Sequence, residues 1–307
     1  MRVAFLGSKA LGLGALERLH EIAPAAFAGA VTFDDRTDVR SCYDAFVAFG
    51  ARTGVPVHVA AGPRAAESAL RALAPECCFV VGWYWLLSAE LLASVSRGFI
   101  GVHNSLLPRY RGFSPLVWAL LNGEIETGFS VFSLTAGMDD GMLWAQESVS
   151  VGPDDYVGDV LSRIEPLAIT RLGDVYEQLI AGTATPRPQA MTGATYCAQR
   201  VPDDGAIDWT RPAAKVRDFV RALSSPYPGA FTFVDGSKLI IWRADAFDAP
   251  YHGAPGQVAR VLPDGGVVVV AGDDRALVLR EVERDGERGP AARFITNFRT
   301  RFAPSAA

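Results

Sequence analysis

A run of apolar residues, Cys78–Gly82, restricts the fold more than any other feature of the chain. Because it has no polar side chain to turn toward water, both of its faces must be buried, as in a central strand of a parallel sheet covered by helices. The amino terminus agrees, since an apolar run over 2–6 ends at Gly7 and a helical pattern over 11–22 follows. A strand, a glycine turn and a helix open a doubly wound unit. We therefore predict an α/β fold with a doubly wound, mostly parallel, Rossmann-like sheet.

The glycines of the first turn do not indicate a nicotinamide site. Gly7, Gly12 and Gly14 do not form Gly-x-Gly-x-x-Gly, and no acidic residue is well placed for a ribose. The ligand of this sheet is therefore expected to be of another kind.

Two loops are expected at the carboxyl edge of the sheet, where open α/β sheets bind their ligands. Trp83, Tyr84 and Trp85 follow the central strand, and they fit either plain core packing or the wall of a ligand slot. Arg36 and Arg40 lie in a charged loop after the second predicted strand, and they fit either substrate contacts or a solvated turn.

The composition is ordinary for a globular protein, with half of the residues hydrophobic and a fifth charged. A net charge of −5 gives no global reason to bind nucleic acid. No apolar run approaches the length of a membrane span, so no membrane partner is expected. The four cysteines show no Cys-x-x-Cys spacing, which favours thiols in a reducing cytosol and a cytoplasmic protein.

The segment 99–112, Phe-Ile-Gly-Val-His-Asn-Ser-Leu-Leu-Pro-Arg-Tyr-Arg-Gly, carries the strongest chemical signal. A short apolar run leads into His103, and Pro108 should end the strand and begin a loop. A lone histidine at a strand end usually only caps backbone groups. A second motif, Ala136–Gly141, changes this interpretation because it places an acidic residue in a glycine-flanked turn that can face the imidazole.

These two motifs, His-x-Ser-Leu-Leu-Pro-x-x-Arg-Gly and Asp-x-Gly, resemble those of the folate-dependent formyltransferase family. That family includes methionyl-tRNA formyltransferase, glycinamide ribonucleotide formyltransferase and the sugar N-formyltransferases. The resemblance extends over nearly the whole chain. It implies 10-formyltetrahydrofolate as the cosubstrate and no metal.

Formyl transfer to an amine requires a group that takes a proton and a donor for the oxygen of the tetrahedral intermediate. The resemblance assigns the catalytic roles to His103, which titrates in the useful range, and to Asp139, which orients it. Asp140 competes by adjacency, but the Asp-x-Gly pattern selects Asp139. The residues that the resemblance assigns to the cosubstrate lie in three loops: Tyr84, Trp85, Leu86, Leu87, Ser105, Leu106, Leu107, Pro108, Thr135, Ala136, Gly137 and Met138.

The chain departs from the family at Gly101, where the family normally has an asparagine whose amide binds the formyl oxygen. Three accounts are open: Asn104 or a backbone amide replaces it, an ordered water fills the gap, or the enzyme is slow, altered or inactive. Loss of one such donor typically lowers turnover about a hundredfold. We therefore expect contacts to the oxyanion or the substrate from Gly101, Asn104, Arg109 and Arg111.

The composition changes near 183–188, which indicates a linker. Beyond it, short strands at close spacing predict a small, OB-like β-barrel. The sequences Ile-Asp-Trp at 207–209 and Pro-x-Pro-Gly-Ala at 226–230 resemble the carboxyl-terminal domain of methionyl-tRNA and sugar formyltransferases. We predict a catalytic domain over 1–182, a linker over 183–204 and a small β-rich domain over 205–307.

The predicted function is N-formyl transfer from 10-formyltetrahydrofolate to a small primary amine, with an amino sugar or a nucleotide-linked amino sugar as the expected acceptor. Methionyl-tRNA is the alternative within the class, although the acidic balance and the lack of a basic cleft signature speak against it. A protein that binds a folate or nucleotide without turnover is the alternative from another class, and Gly101 favours it. The expected partner is therefore a small-molecule amine, with nucleic acid only under the tRNA alternative, and a homodimer is left open.

Overall fold

The computed structural model describes residues 1–190 and 192–303, which fall into two compact units. The first unit comprises Met1–Pro115, Glu126–Ser150 and Ser162–Cys197, and the second comprises Leu116–Ile125, Val151–Leu161 and the chain from Ala198 onward. The chain passes between the two units more than once, so this division has no single boundary. The domain boundaries at 182 and 205 remain a prediction.

The first unit contains most of the strands and helices of residues 1–197. Its strands are β1 (Val3–Gly7), β2 (Phe27–Thr32), β3 (Val57–Val59), β4 (Cys77–Val81), β5 (Phe99–His103), β6 (Arg111–Gly112), β7 (Glu126–Leu134), β8 (Leu143–Ser150) and β9 (Tyr196–Cys197). The helices along the same stretch are α1 (Lys9–Ile22), α2 (Tyr43–Thr53), α3 (Pro63–Leu73), α4 (Ala89–Ser94), α5 (Pro115–Asn122) and α6 (Val157–Ala181).

Seven of these strands form one sheet in the order β3-β2-β1-β4-β5-β7-β8. The strands from β3 to β5 in this order are parallel, whereas β7 is antiparallel to β5 and β8 is antiparallel to β7. This confirms the predicted α/β fold with a mostly parallel sheet. The strands β6 and β9 lie outside the sheet and pair with each other in parallel.

The burial of the central strands explains their sequence. Every residue of β1 and of β4 is buried, so neither strand can carry a polar side chain without a partner. The helix α3 begins with Pro63 and turns Ala66, Leu70 and Leu73 into the core, as the spacing of an amphipathic helix requires. The carboxyl ends of β1, β4 and β5 consequently lie along one edge of the sheet, with His103 at the end of β5.

The second unit contains an antiparallel sheet. Its elements are α7 (Ala213–Leu223), β10 (Ala230–Val234), β11 (Ser237–Ala246), β12 (Val258–Val261), β13 (Val267–Val270), β14 (Ala276–Arg284), β15 (Glu287–Pro290) and α8 (Ala291–Phe294). The strand order is β10-β11-β14-β13-β12, and β15 pairs with β14. All four valines of β13 are buried, which places this strand inside the core of the unit.

Cys77, Cys78 and Cys197 are buried, and Cys42 is partly exposed. Burial raises the pKa of Cys77 to about 12, so this thiol does not ionise near neutral pH. Within residues 1–190 and 192–303, no helix is both long and apolar enough to cross a membrane.

Candidate active site

His103 ends β5 and is almost completely buried, with 8% of its surface exposed. Its Nε2 atom lies 2.8 Å from the carbonyl oxygen of Tyr110. A carbonyl can only accept, so Nε2 carries the hydrogen and donates it. The other ring nitrogen, Nδ1, lies 3.6 Å from Oδ2 of Asp139 and is therefore the nitrogen that can gain or lose a proton beside a carboxylate.

Asp139 lies in the turn between β7 and β8 in a left-handed conformation, with φ of 48°. Its Oδ2 also accepts a hydrogen bond of 2.7 Å from the backbone N–H of Gly112. The neighbouring Asp140 is exposed and accepts a hydrogen bond from the hydroxyl of Thr135 instead. The structure thus brings Asp139 rather than Asp140 to the imidazole.

Gly101 lies two residues before His103. Neighbouring residues occupy the space that a side chain at this position would need. A Cβ atom at this position would lie 2.7 Å from Cδ1 of Leu134 and 3.1 Å from the carbonyl oxygen of Val80. Both distances are shorter than ordinary contacts, so a larger residue here requires at least Leu134 to move.

Asn104 lies in a bend immediately after β5. The N–H of Ser105 donates a 2.8 Å hydrogen bond back to the carbonyl of His103, which closes a tight turn around Asn104. The alternation of an extended strand therefore does not apply to its side chain. Its Oδ1 atom is buried and has no hydrogen-bond partner in the described part of the chain. A buried acceptor without a partner is costly unless a ligand supplies the donor.

The loop after β5 is held by two polar side chains that the sequence analysis missed. Ser130 accepts a hydrogen bond from the N–H of Leu107 and donates one to the carbonyl of Ser105. Gln146 donates to the carbonyl of Leu107 at 2.8 Å and to the hydroxyl of Ser130 at 2.9 Å. The alternation of β7 and β8 could have placed them on one face, but nothing in it identifies the loop as their partner.

Arg111 was expected to contact the oxyanion or the substrate, and the structure places it inside the protein. Only 5% of its surface is exposed. Its guanidinium donates to Oε1 of Gln189 from Nη2 at 2.7 Å and from Nε at 3.2 Å, and Nη1 lies 3.4 Å from the hydroxyl of Tyr196. Arg109 is exposed, with its guanidinium 5.5 Å from the centre of the Tyr110 ring.

The loop after β4 combines partly buried and exposed aromatic residues. Trp83 and Trp85 pack against Phe33, with ring centres 5.3 Å and 4.9 Å apart. Tyr84 and Leu86 are exposed by 50% and 87%. The indole N–H of Trp83 is buried without an acceptor in the residues that the structure covers. The loop therefore joins an apolar surface to an unpaired donor.

The charged loop after β2 has internal partners for its charges. Arg36 pairs with Asp34 and Arg40 pairs with Asp38. Lys9, at the start of α1, lies 2.5 Å from Asp35 and 2.8 Å from Asp38. Burial lowers the pKa of Lys9, but the hydrogen bonds to these two carboxylates outweigh it and raise the pKa above its usual value.

The described residues hold no group of three or more His, Cys, Asp or Glu side chains that could bind a metal ion.

Comparisons with known proteins identify the family of the chain. The sequence matches the family Formyl transferase over residues 45–172 and the family Formyl transferase, C-terminal domain, over residues 200–299. It is 36% identical to methionyl-tRNA formyltransferase from Anaeromyxobacter dehalogenans over 97% of this chain and 96% of the relative. The chain therefore belongs to the folate-dependent formyl transferase family, which confirms the resemblance of its motifs.

Two solved structures have the same fold at low sequence identity. The sugar 3N-formyl transferase WlaRD superposes with a TM-score of 0.68 at 12% identity, over 94% of this chain and 98% of WlaRD. HypX from Aquifex aeolicus, solved in complex with tetrahydrofolic acid, superposes with a TM-score of 0.66 at 18% identity. That match covers 97% of this chain and 47% of HypX, so the chain spans about half of the larger protein.

Proposed function

We propose that this chain transfers a formyl group from 10-formyltetrahydrofolate to a primary amine, with His103 and Asp139 as its catalytic pair. The observation that carries the proposal is the placement of a buried imidazole at the end of β5, 3.6 Å from a carboxylate in the β7–β8 turn. Family membership and the folate ligands named for the two solved structures support the choice of cosubstrate.

The loop after β4 fits the pterin part of such a cosubstrate. A flat heterocycle with polar edges needs an apolar slot and a few fixed polar groups. Tyr84 and Leu86 offer exposed apolar surface, and the unpaired indole N–H of Trp83 offers a donor. The segments 105–108 and 135–138 are proposed to complete this binding surface. The bound cosubstrate would supply the formyl group on a folate nitrogen.

His103 and Asp139 are proposed to move the proton of the reaction. The amine nitrogen bonds to the formyl carbon as the bond from that carbon to the folate nitrogen breaks, so one proton must leave the amine and one must reach the folate nitrogen. Nε2 of His103 is held by Tyr110, which leaves Nδ1 to accept and return a proton. Asp139 then stabilises the imidazolium that forms.

Asn104 is proposed as the polar contact of the reacting groups. Its buried, unpaired Oδ1 accepts a hydrogen bond, and an incoming amine carries N–H groups to donate. The tight turn at 103–105 supports this role. An acceptor oxygen cannot replace the amide that donates to the formyl oxygen, so this role of Asn104 leaves the three accounts of the missing asparagine open.

Methionyl-tRNA is the acceptor that the comparisons favour, against the sequence-based preference for an amino sugar. The support is a relative named methionyl-tRNA formyltransferase that is 36% identical over nearly the full length of both chains. The same proposal includes an OB-like barrel formed by the antiparallel sheet, because OB folds commonly bind oligonucleotides.

An amino sugar is kept as the second candidate because of one observation on charge. The loop after β2 has its arginines paired with aspartates, and residues 1–197 hold 20 acidic against 14 basic side chains. A surface of this kind attracts a polyanion weakly.

Release of tetrahydrofolate tests both candidates in one assay. The protein is incubated with 10-formyltetrahydrofolate and either methionyl-tRNA or a panel of nucleotide-linked amino sugars. Turnover with methionyl-tRNA is expected to exceed turnover with every sugar, and the reverse ranking would select the second candidate. Folate binding without release on any acceptor would contradict the proposed activity and favour a binding protein.

A further inference from the structure

Gln189 lies far from both motifs in sequence, yet it contacts the turn that carries Asp139. Its Nε2 donates to the carbonyl of Asp139 at 2.7 Å and to the carbonyl of Gly141 at 2.8 Å. Its Oε1 accepts from Nε and Nη2 of Arg111. The residue is 8% exposed. The amide thus uses both of its hydrogens and both acceptor sites of its oxygen, and no other orientation satisfies them.

One of the two carbonyls that Gln189 binds belongs to Asp139, the strained residue of the turn, and the other belongs to Gly141, two residues later. Asp139 has φ of 48°, which non-glycine residues rarely adopt and which the surroundings must maintain. The hydrogen bonds from a single amide nitrogen fix the distance between the carbonyls on either side of Asp140. They therefore fix the direction in which the Asp139 side chain leaves the backbone.

Arg111 connects this turn to the segment that follows His103. Its neighbour Gly112 donates its N–H to the Asp139 carboxylate at 2.7 Å. Gln189 therefore closes a ring of contacts in which Arg111 and Gly112 hold one side and the Asp139 turn holds the other. Glutamate would pair with Arg111 as well, but as a carboxylate it has no hydrogen to donate to the two carbonyls. The position requires an amide.

We propose that Gln189 is a positioning residue that sets the separation of His103 and Asp139. It touches neither the imidazole nor the carboxylate and acts through the backbone of the turn and through Arg111. The expected effect of Gln189 on turnover rests on the proposed function. Its expected effect on the position of the Asp139 carboxylate beside the imidazole does not.

The test compares Gln189→Met with Gln178→Met, a matched change at an exposed position of α6. Methionine keeps the length of the side chain and removes all four hydrogen bonds. We expect kcat to fall about 10- to 100-fold in Gln189→Met, since small displacements of a catalytic group have effects of this size, while KM for the folate changes less than about threefold. Gln178→Met is expected to match the wild type.

Hydrogen exchange of the Gly112 amide gives a readout that does not depend on turnover. This N–H donates to Oδ2 of Asp139 at 2.7 Å, so its protection reports how firmly the turn holds the carboxylate. A looser turn in Gln189→Met should raise the exchange rate of this amide at least about threefold. Gln178→Met should leave it unchanged.

Several outcomes separate this proposal from its alternatives. If Gln189→Met is less stable but keeps the wild-type kcat and the wild-type exchange rate of the Gly112 amide, the role is merely structural and the proposal is wrong. If Gln189→Met does not fold, Gln189→Glu keeps the pairing with Arg111 and must show the same loss of kcat and faster exchange at Gly112. If the wild type transfers no formyl group to any acceptor, the proposed function fails, whereas the exchange rate of the Gly112 amide still decides on Gln189.

Discussion

Two polar clusters lie along the carboxyl edge of the parallel sheet, and they satisfy their charges in opposite ways. Lys9 and the charged loop after β2 form the first, in which 2.5–2.8 Å ion pairs join Lys9 to Asp35 and Asp38. His103 and Asp139 form the second, in which Nδ1 of the imidazole lies 3.6 Å from the carboxylate. The paired cluster has little capacity left for a ligand. The site around His103 keeps a titratable nitrogen and a buried acceptor that a ligand can use.

This difference indicates which polar cluster at the edge of such a sheet can take part in a reaction. Short, complete ion pairs stabilise a loop, whereas a reacting group must be able to exchange its partner. Breaking the first cluster should therefore change the free energy of unfolding, and breaking the second should change turnover.

Replacement of His103 by alanine has the largest expected effect. It removes the group proposed to move the proton, so kcat should fall at least about a thousandfold. Folate affinity should change less than about threefold, because the imidazole is not part of the proposed binding surface. The measurements are tetrahydrofolate release and folate titration of the same preparation, and near-normal turnover would disprove the assignment.

Asp139→Asn should follow, with a loss of about a hundredfold in kcat, because asparagine cannot stabilise the imidazolium. Asp140→Asn is the matched control, since Asp140 is exposed and bonded to Thr135, and it should stay within about threefold of the wild type. Initial rates at saturating folate provide the comparison. Equal losses in the two variants would mean that the structure pairs the wrong carboxylate with His103.

Lys9→Met should destabilise the protein and leave kcat nearly unchanged. It leaves Asp35 without its cation, whereas Asp38 keeps its pair with Arg40. The expected cost is about 2 kcal/mol, below the roughly 3–5 kcal/mol typical of breaking a fully buried pair, because Asp38 stays paired and partly exposed. Denaturant unfolding measures the loss, and the exposed Lys238→Met is the control. A large loss of turnover at unchanged stability would instead place Lys9 in the active site.

We also expect Lys9→Met to change how the free energy of unfolding depends on pH. Hydrogen bonds from Arg40, then from Lys9, hold the pKa of Asp38 well below its usual value, despite partial burial. A depressed folded-state pKa stabilises the protein above the unfolded value of 3.8, and that stabilisation is lost as the pH falls below it. Unfolding curves at pH 3 and pH 7 should therefore differ less in Lys9→Met than in the wild type.

Gly101→Asn should have the smallest effect and should not raise turnover by itself. Leu134 and the carbonyl of Val80 crowd the position, so the new side chain cannot reach the orientation of an oxyanion donor. The double variant Gly101→Asn, Leu134→Ala opens the space and is expected to exceed the Gly101→Asn single variant severalfold. Equal rates in the two would show that the oxyanion already has a sufficient donor.

Sequence patterns predict the elements that are long and uniform. The apolar run before His103 forms the strand Phe99–His103, and the helical pattern over 11–22 lies within the helix Lys9–Ile22, because apolar runs and helical spacing repeat over several positions. The motifs also identified His103 and Asp139 as a candidate pair. The structure places them together, although their roles are still a prediction.

The supporting contacts could not be predicted because they join distant, irregular segments. Gln189 lies 50 residues from Asp139 in a stretch that the composition marks as a linker. The strands β6 and β9 have two residues each, too few for any periodicity. Arg111 next to an aromatic is typical of a ligand contact, and only the tertiary structure shows that its guanidinium is buried.

The pairing of β6 with β9 also has a consequence for the growing chain on the ribosome. Arg111 and Gly112 pair with Tyr196 and Cys197, so the loop after His103 receives this support only from residues translated 85 positions later. Both motifs are synthesised well before that point. An amino-terminal fragment that stops at residue 182 would contain each motif residue but none of the segment that fastens them. Nascent chains should therefore acquire a working site late, after the predicted linker over 183–204 has been synthesised.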